Sequence, residues 1–283
     1  MGAVEKLVVM GQGYVGLPLA VRAVEAGYDV VGFEVDARRV EELAAGTSYV
    51  EDISDDRLAE ARATGRYRPS LAVSDLEGFD VAVITVPTPL RDRQPDLSFV
   101  VSAAEMLGGA LRPAATVILE STTYPGTTEE LVGARLSEVS GLAAGHDFHL
   151  GYSPERIDPG NATWTLETTP KVISGVDAAS LAAVKGFYDR IVERTVAVSS
   201  PKEAEMCKLL ENTFRHVNIA LINELGFLQQ HASEVAPDLT GVAAADGVVL
   251  LVDHDGTDLG PLTDAQWVLD TRGVLNGANV ERL

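Results

Sequence analysis

Gly11-Gln-Gly-Tyr-Val-Gly16 places three glycines where a short apolar run gives way to a helical pattern. The first glycine permits a tight turn, the second lets a pyrophosphate approach the backbone, and the third lets helix and strand pack closely. Amides at the helix start, with Tyr14 and Val15 in the turn, would then bind the anion. Eighteen positions beyond Gly16 stands Glu34, closing the next apolar run in Val31-Gly-Phe-Glu-Val-Asp36. A carboxylate there accepts hydrogen bonds from the adenosine ribose hydroxyls and repels a 2′-phosphate, so the pattern predicts NAD rather than NADP. Arg38 and Arg39 nearby pull weakly the other way. A flavin or another nucleotide on the same turn, or a glycine turn without a ligand, is the competing reading.

The elements that must position these residues follow from periodicity. Apolar runs at residues 6–10, 30–34, 81–86 and 115–119 predict buried strands. Helical spacing at residues 17–26, around 100–111 and at 129–139 separates them. Strands that alternate with helices and are apolar on both faces predict a parallel sheet covered on either side, an α/β doubly wound Rossmann fold. From Pro201 to about Gln230 the pattern becomes one long helix, with Glu203 and Glu205 in its first turn to complement the helix dipole. At ~30 residues it would be about 45 Å long, suited to bridging domains or building a subunit interface, or to serving as a plain core helix. Beyond it, residues 247–253 and 266–270 predict one strand, a connection and one strand, too few to bury both faces. The expected organisation is a Rossmann domain over residues 1–199, a central helix over 200–232 and a truncated carboxy-terminal α/β remnant over 240–283.

Bulk composition narrows the partners. A formal charge of −20 repels nucleic acid and anionic lipid, so neither is expected as a partner, and a polyphosphate must be captured by local geometry. With 46% hydrophobic residues, 283 positions suffice for cores in two domains. The single cysteine, Cys207, excludes an internal disulfide framework and fits a reducing cytoplasm. The amino terminus lacks a secretory pattern, and no apolar run approaches the ~20 residues of a membrane span. A cytoplasmic protein without a metal site is expected.

Five motifs occur in a recognisable order: Gly11-Gln-Gly-Tyr-Val-Gly-Leu-Pro-Leu-Ala20, Val86-Pro-Thr-Pro89, Ser121-Thr-Thr-Tyr-Pro-Gly-Thr-Thr128, Tyr152-Ser-Pro-Glu-Arg-Ile-Asp-Pro-Gly-Asn161 and Lys208-Leu-Leu-Glu-Asn-Thr-Phe-Arg215. From Lys6 to about Gln230 the chain thereby resembles the UDP-glucose/GDP-mannose dehydrogenase family, above all members acting on UDP-N-acetylhexosamines. The resemblance implies an NAD-dependent oxidoreductase with a nucleotide-sugar substrate, a UDP-sugar. It places Thr88 and Thr122 near the nicotinamide and Glu34 and Arg39 at the adenosine ribose. Glu155 would stand beside the sugar and act on the reacting oxygen through water, while Lys208 and Asn212 would stabilise the developing oxyanion. Helical spacing independently puts Lys208 and Asn212 on one face, able to converge on one oxygen. The alternatives are a solvated helix face for that pair, a surface carboxylate for Glu155, and turn or cap roles for the threonines.

The chain also departs from the family. Its members oxidise the alcohol twice, using a cysteine and a nearby aspartate in a glycine-rich segment after the long helix; nothing here matches that segment. Cys207 lies about 100° around the helix from Lys208 and reads as a small buried hydrophobe. Residues 247–254 and 267–273 resemble the last strands of the family's UDP-binding domain, implying an internal deletion, natural or engineered. The expectation is an enzyme limited to one hydride transfer, dimerising through the long helix. A catalytically silent NAD-binding relative, perhaps paired with a full-length paralogue, is the alternative, and an unstable gene remnant is a third.

Overall fold

Alternate residues of the central strands belong to two different apolar cores. The computed structural model describes residues 4–91, 94–156, 165–231, 239–250 and 258–282. It divides into two compact units, Met1–Phe214 and Arg215–Leu283. The first begins with β1 (Lys6–Met10), α1 (Gly16–Glu25), β2 (Asp29–Phe33), α2 (Ala37–Ala45), α3 (Asp55–Ala63), β3 (Tyr67–Ser70) and β4 (Val81–Ile84). A short antiparallel pair, β5 (Leu90–Arg91) and β6 (Gln94–Pro95), precedes α4 (Ser98–Ala110), β7 (Thr116–Leu119), α5 (Ala134–Ser140) and β8 (His149–Tyr152). Then come β9 (Lys171–Gly175), α6 (Ala178–Tyr188), β10 (Thr195–Ala197) and α7 (Pro201–His231), within which the unit boundary falls.

The sheet order is β10-β9-β8-β7-β4-β1-β2-β3. Leu7, Val9, Val83 and Ile118 pack into a core shared with Leu17 of α1, Leu58 of α3 and Phe187 of α6. Val8, Met10, Ala82, Ile84 and Val117 pack on the opposite side with Val100 and Leu107 of α4 and Leu136 of α5. Each fully buried aliphatic side chain contributes about 1.5–3 kcal/mol relative to exposure, so a strand polar on either face would not hold its place. The doubly wound α/β architecture is therefore present.

Three local expectations are corrected. The sheet is not wholly parallel: β9 runs antiparallel to β8, through Gly151↔Gly175 and Tyr152↔Ser174. Among the described residues between them there is no crossover helix, and only a parallel neighbour requires one. Residues 129–139 are not one regular helix, because Thr127–Gly133 winds as a wider π-type turn before α5 begins. Glu205 does not simply face the dipole of α7. Its buried carboxylate accepts hydrogen bonds from Gly126 N (2.6 Å), Thr128 N (2.8 Å) and Thr128 Oγ1 (2.7 Å), fastening α7 to the start of that wide turn. Glu203, in contrast, accepts from Ser199 N while Ser200 Oγ accepts from Glu203 N, a reciprocal cap.

The second unit holds a parallel sheet of β11 (Val248–Leu250), β12 (Val268–Asp270) and β13 (Val280–Arg282). The third strand was not expected, because Val-Glu-Arg has no apolar run. A small core of Leu250, Leu262, Ala265, Val268 and Leu275 sits against it. Residues 251–253 of the expected strand, and Ala232 at the expected end of the long helix, lie outside the described residues.

Candidate active site

Strand order reverses between β1 and β4, where a doubly wound sheet opens a crevice at its carboxyl edge. A cleft of about 710 Å³ lies there, entirely within the first unit. The glycine turn forms one wall. Gly11 has φ +92°, in the left-handed region that favours glycine. A Cβ on Gly16 would lie 1.9 Å from Gly11 O and 2.5 Å from Thr85 Oγ1, so the third glycine is fixed by close packing. A Cβ on Gly13 would meet nothing within 4 Å, and Gly13 lines the cleft, so a ligand can approach the backbone there. No side chain caps the start of α1 at Val15; within its first turn Leu17 N donates to Gly13 O and Pro18 carries no N–H, so an anion there would be met by amides of the glycine turn itself. Tyr14 and Val15 line the same wall; Gly16, buried behind it, does not.

Glu34 stands one residue beyond β2 and is 6% exposed. Its Oε2 accepts from Gln12 N (3.1 Å) and its Oε1 from Val35 N (2.8 Å) and Asp36 N (3.2 Å), with Arg39 3.5 Å away. The carboxylate is thereby fixed at the cleft wall before any sugar arrives. Gln12, which no motif singled out, is fully buried and ties the turn to its surroundings: its Nε2 donates to Val9 O, and Tyr67 OH donates to its Oε1.

Further along, Thr85 and Val86 leave the line of β4. Thr88 Oγ1 donates to Thr122 O at 2.8 Å, and Ser121 Oγ donates to Val86 O at 2.7 Å. These bonds knit the segments after β4 and β7 together, so Thr88 and Thr122 line one stretch of the cleft. Glu155, after β8, and Lys208, in the second turn of α7, complete the lining, and Lys208 Nζ donates to the Glu155 carbonyl. Two anchors set α7 in place: Glu205 on the segment after β7, and Glu211, which pairs with Arg156 at 2.6 Å while Arg156 Nη1 donates to Pro170 O. Asn212, one turn beyond Lys208, is exposed and is not among the lining residues; neither is Cys207. Residues 157–161 of the fourth motif lie outside the described residues.

Spacing gave no notice of Glu120, which also lines the cleft. Burial pushes its pKa up to about 7, with Glu155 adding to the rise and Lys171 opposing it. The available signal was a carboxylate closing the apolar run Ala115-Thr-Val-Ile-Leu-Glu120, the same pattern that marks Glu34. Among the described residues, no group of three His, Cys, Asp or Glu could hold a metal ion.

A glycine cradle at the switch point of a doubly wound sheet, with a fixed acid at the end of its second strand, defines a Rossmann-type dinucleotide-binding protein. Residues 5–192 match the UDP-glucose/GDP-mannose dehydrogenase family NAD binding domain, and residues 202–246 match the central domain of that family. The chain belongs to the UDP-glucose/GDP-mannose dehydrogenase family, and NAD is the cofactor of its first domain. It is 38% identical over 225 residues to a UDP-N-acetyl-D-mannosamine dehydrogenase of Pyrococcus horikoshii, covering 79% of this chain and 53% of that protein. It is 41% identical over 227 residues to a UDP-N-acetyl-D-glucosamine 6-dehydrogenase of Pseudomonas aeruginosa, covering 79% and 52%. The solved structure of a UDP-D-ManNAc dehydrogenase from Pyrococcus horikoshii superposes with a TM-score of 0.77 at 36% identity, over 81% of this chain and 55% of that one. The chain thus spans about half the length of these curated relatives.

Proposed function

We propose that this chain is an NAD-dependent oxidoreductase acting on a CH–OH group of a nucleotide sugar, a UDP-sugar, through one hydride transfer. The observation that carries this reading is that Lys208, Glu155 and Thr122 line the same cleft as Gly13 and Glu34. Gly11, Gly13, Tyr14, Val15 and Gly16 would hold the cofactor's pyrophosphate, Glu34 and Arg39 its adenosine ribose, and Thr88 and Thr122 the other end. When bound, NAD supplies the acceptor for the hydride leaving the carbinol carbon. The Lys208 ammonium stabilises the negative charge that develops on the hydroxyl oxygen, a task suited to a cation lining the cleft. Glu155 receives the hydroxyl proton through a water; Asn212, one turn beyond Lys208 but exposed and outside the lining, is given no step in this scheme.

The single transfer is favoured because Cys207 is not among the lining residues, so covalent capture of an aldehyde by a thiol has no support. An aldehyde or a ketone is then the product, formed together with NADH; an epimerised sugar would require the hydride to be returned to the opposite face of that carbonyl. Purified protein given NAD and a panel of UDP-sugars should form NADH; no NADH and no altered sugar would overturn the assignment. The exposure of Asn212 favours a second reading, a catalytically silent NAD-binding member, which calorimetry would support by finding NAD binding without UDP-sugar binding.

The proposed organisation is an NAD-binding domain over residues 1–199, a central helix over 200–232 and a remnant of a UDP-binding domain over 240–283. Met206, Leu210 and Phe214 are 56%, 67% and 70% exposed at four-residue spacing on α7, which supports homodimerisation through that helix. Light scattering on the eluting protein tests this. Among the described residues no helix is long and apolar enough to cross a membrane. A cytoplasmic location is the one we favour.

A further inference from the structure

Behind the cleft lies a buried charge cluster. Lys171 opens β9 and is 3% exposed; Glu120 follows β7 and is 1% exposed. The Lys171 ammonium pairs with Glu120 Oε1 and lies 3.5 Å from Glu155 Oε2. Tyr188 of α6 donates from its hydroxyl to Glu120 Oε2 at 2.7 Å, and its ring centroid is 5.4 Å from the same ammonium. One cation therefore serves two carboxylates, and only the carboxylates line the cleft.

Taking an ammonium out of water is costly unless partners hold it closely. Burial works against the charged form of Lys171, but Glu120 and Glu155 outweigh it and raise its pKa, so the cation persists. Two carboxylates around one ammonium leave an excess negative charge. Glu120, whose side chain is fully enclosed, bears that excess poorly and its pKa rises. The side chain of Glu155 is 13% exposed at the cleft and can share its charge with water. Lys208 of α7 donates to the Glu155 carbonyl, and the adjacent Arg156 pairs with Glu211.

We propose that Lys171 is a positioning residue for Glu155: its ammonium, locked by Glu120 and Tyr188, holds the Glu155 carboxylate at the cleft wall and keeps it ionised at neutral pH. The catalytic meaning of this assignment rests on the oxidoreductase reading above. The ionisation of Glu155 is measurable without turnover.

The test is a carboxyl-carbon NMR titration of protein labelled at glutamate, with Glu155→Gln assigning the signal. Lys171→Met should raise the midpoint of Glu155 by about one unit or more, the effect of removing an opposite charge within ~4–6 Å, and Lys171→Arg should return it towards the parent value. If Lys171→Met does not fold, the double variant Lys171→Met/Glu120→Gln removes the carboxylate left without a counter-charge; its Glu155 midpoint should move the same way. In protein that forms NADH, Lys171→Met should lower kcat/KM about 10-fold or more and move the acidic limb of the pH profile upward, with NAD affinity unchanged. Absence of NADH from the parent protein overturns the proposed reaction, and the titration still decides Lys171. An unchanged Glu155 midpoint in the methionine variants, even with a lower melting temperature, would mark Lys171 as merely structural and overturn the proposal.

Discussion

The two units handle buried charge in opposite ways. The first covers an eight-stranded sheet on both faces and encloses an ammonium and two carboxylates beside its cleft. Among the described residues, the second has a three-stranded sheet and a core of five buried residues. Its buried acid, Asp270, is held by backbone amides, accepting from Arg272 N (2.9 Å), Gly273 N (2.9 Å) and Leu275 N (2.7 Å). A deep core can keep side-chain charges dry and fixed; a shallow one uses the amides of its own turn.

The sharpest way to break this contrast is Gly16→Ala. Its Cβ would lie 1.9 Å from a backbone oxygen, so the turn must shift, and NAD affinity should fall about 100-fold or more, about 2.7 kcal/mol. Calorimetry checks the affinity, and hydrogen exchange at residues 268–270 should stay unchanged; loss of protection there would mean that the two units are not independent. Matched truncations come next. Leu119→Ala, in the enclosed sheet, should cost about 3–5 kcal/mol, and Leu262→Ala, in the small core that can collapse around the gap, about 2 kcal/mol. Amide exchange resolved by unit measures both, and equal costs would erase the distinction.

A pH series separates the units by sign. The folded pKa of Glu120 is raised to about 7 from 4.5, chiefly by burial. The folded state therefore keeps a proton that the unfolded chain has released, and stability of the first unit falls as pH rises from 4.5 to 7. The contribution is on the order of 3 kcal/mol, and Glu120→Gln should flatten it in urea melts. Asp270 has the opposite sign: burial raises its pKa, but the amides of Leu275, Arg272 and Gly273 outweigh this and the net shift is downward. Its stabilisation of the second unit is present above pH 3.8 and is lost as pH falls below it; Asp270→Asn should remove that acid sensitivity. The smallest effect is expected from Glu34→Gln, which keeps the shape of the side chain. NAD should bind about 10-fold less tightly, about 1.4 kcal/mol, with NADP discrimination reduced.

Much of the first unit was legible because its strands must be apolar on both faces, a requirement that shows as runs such as Lys6–Met10. The glycine wall of the cleft was legible for a related reason. Gly11, Gly13 and Gly16 answer to backbone geometry, and backbone geometry at a turn leaves a local signature. Glu205 misled, since an acid near a helix start fits the dipole whether or not a distant loop needs it, and here it lies one position past the first turn. β13 was hidden by its brevity, and the reversal of β9 by a connection whose composition does not specify direction.

By itself, the order of residues determined the α/β class, the glycine cradle and the acid at Glu34, because each is imposed by neighbours within one or two elements. Tertiary structure alone decided that Glu120, Glu155 and Lys171 share one charge cluster, and that Lys208 rather than Asn212 lines the cleft. Those side chains come from separate strands, loops and helices. What they do is set by Coulomb attraction and desolvation over a few ångströms, which exist only after folding has brought them together.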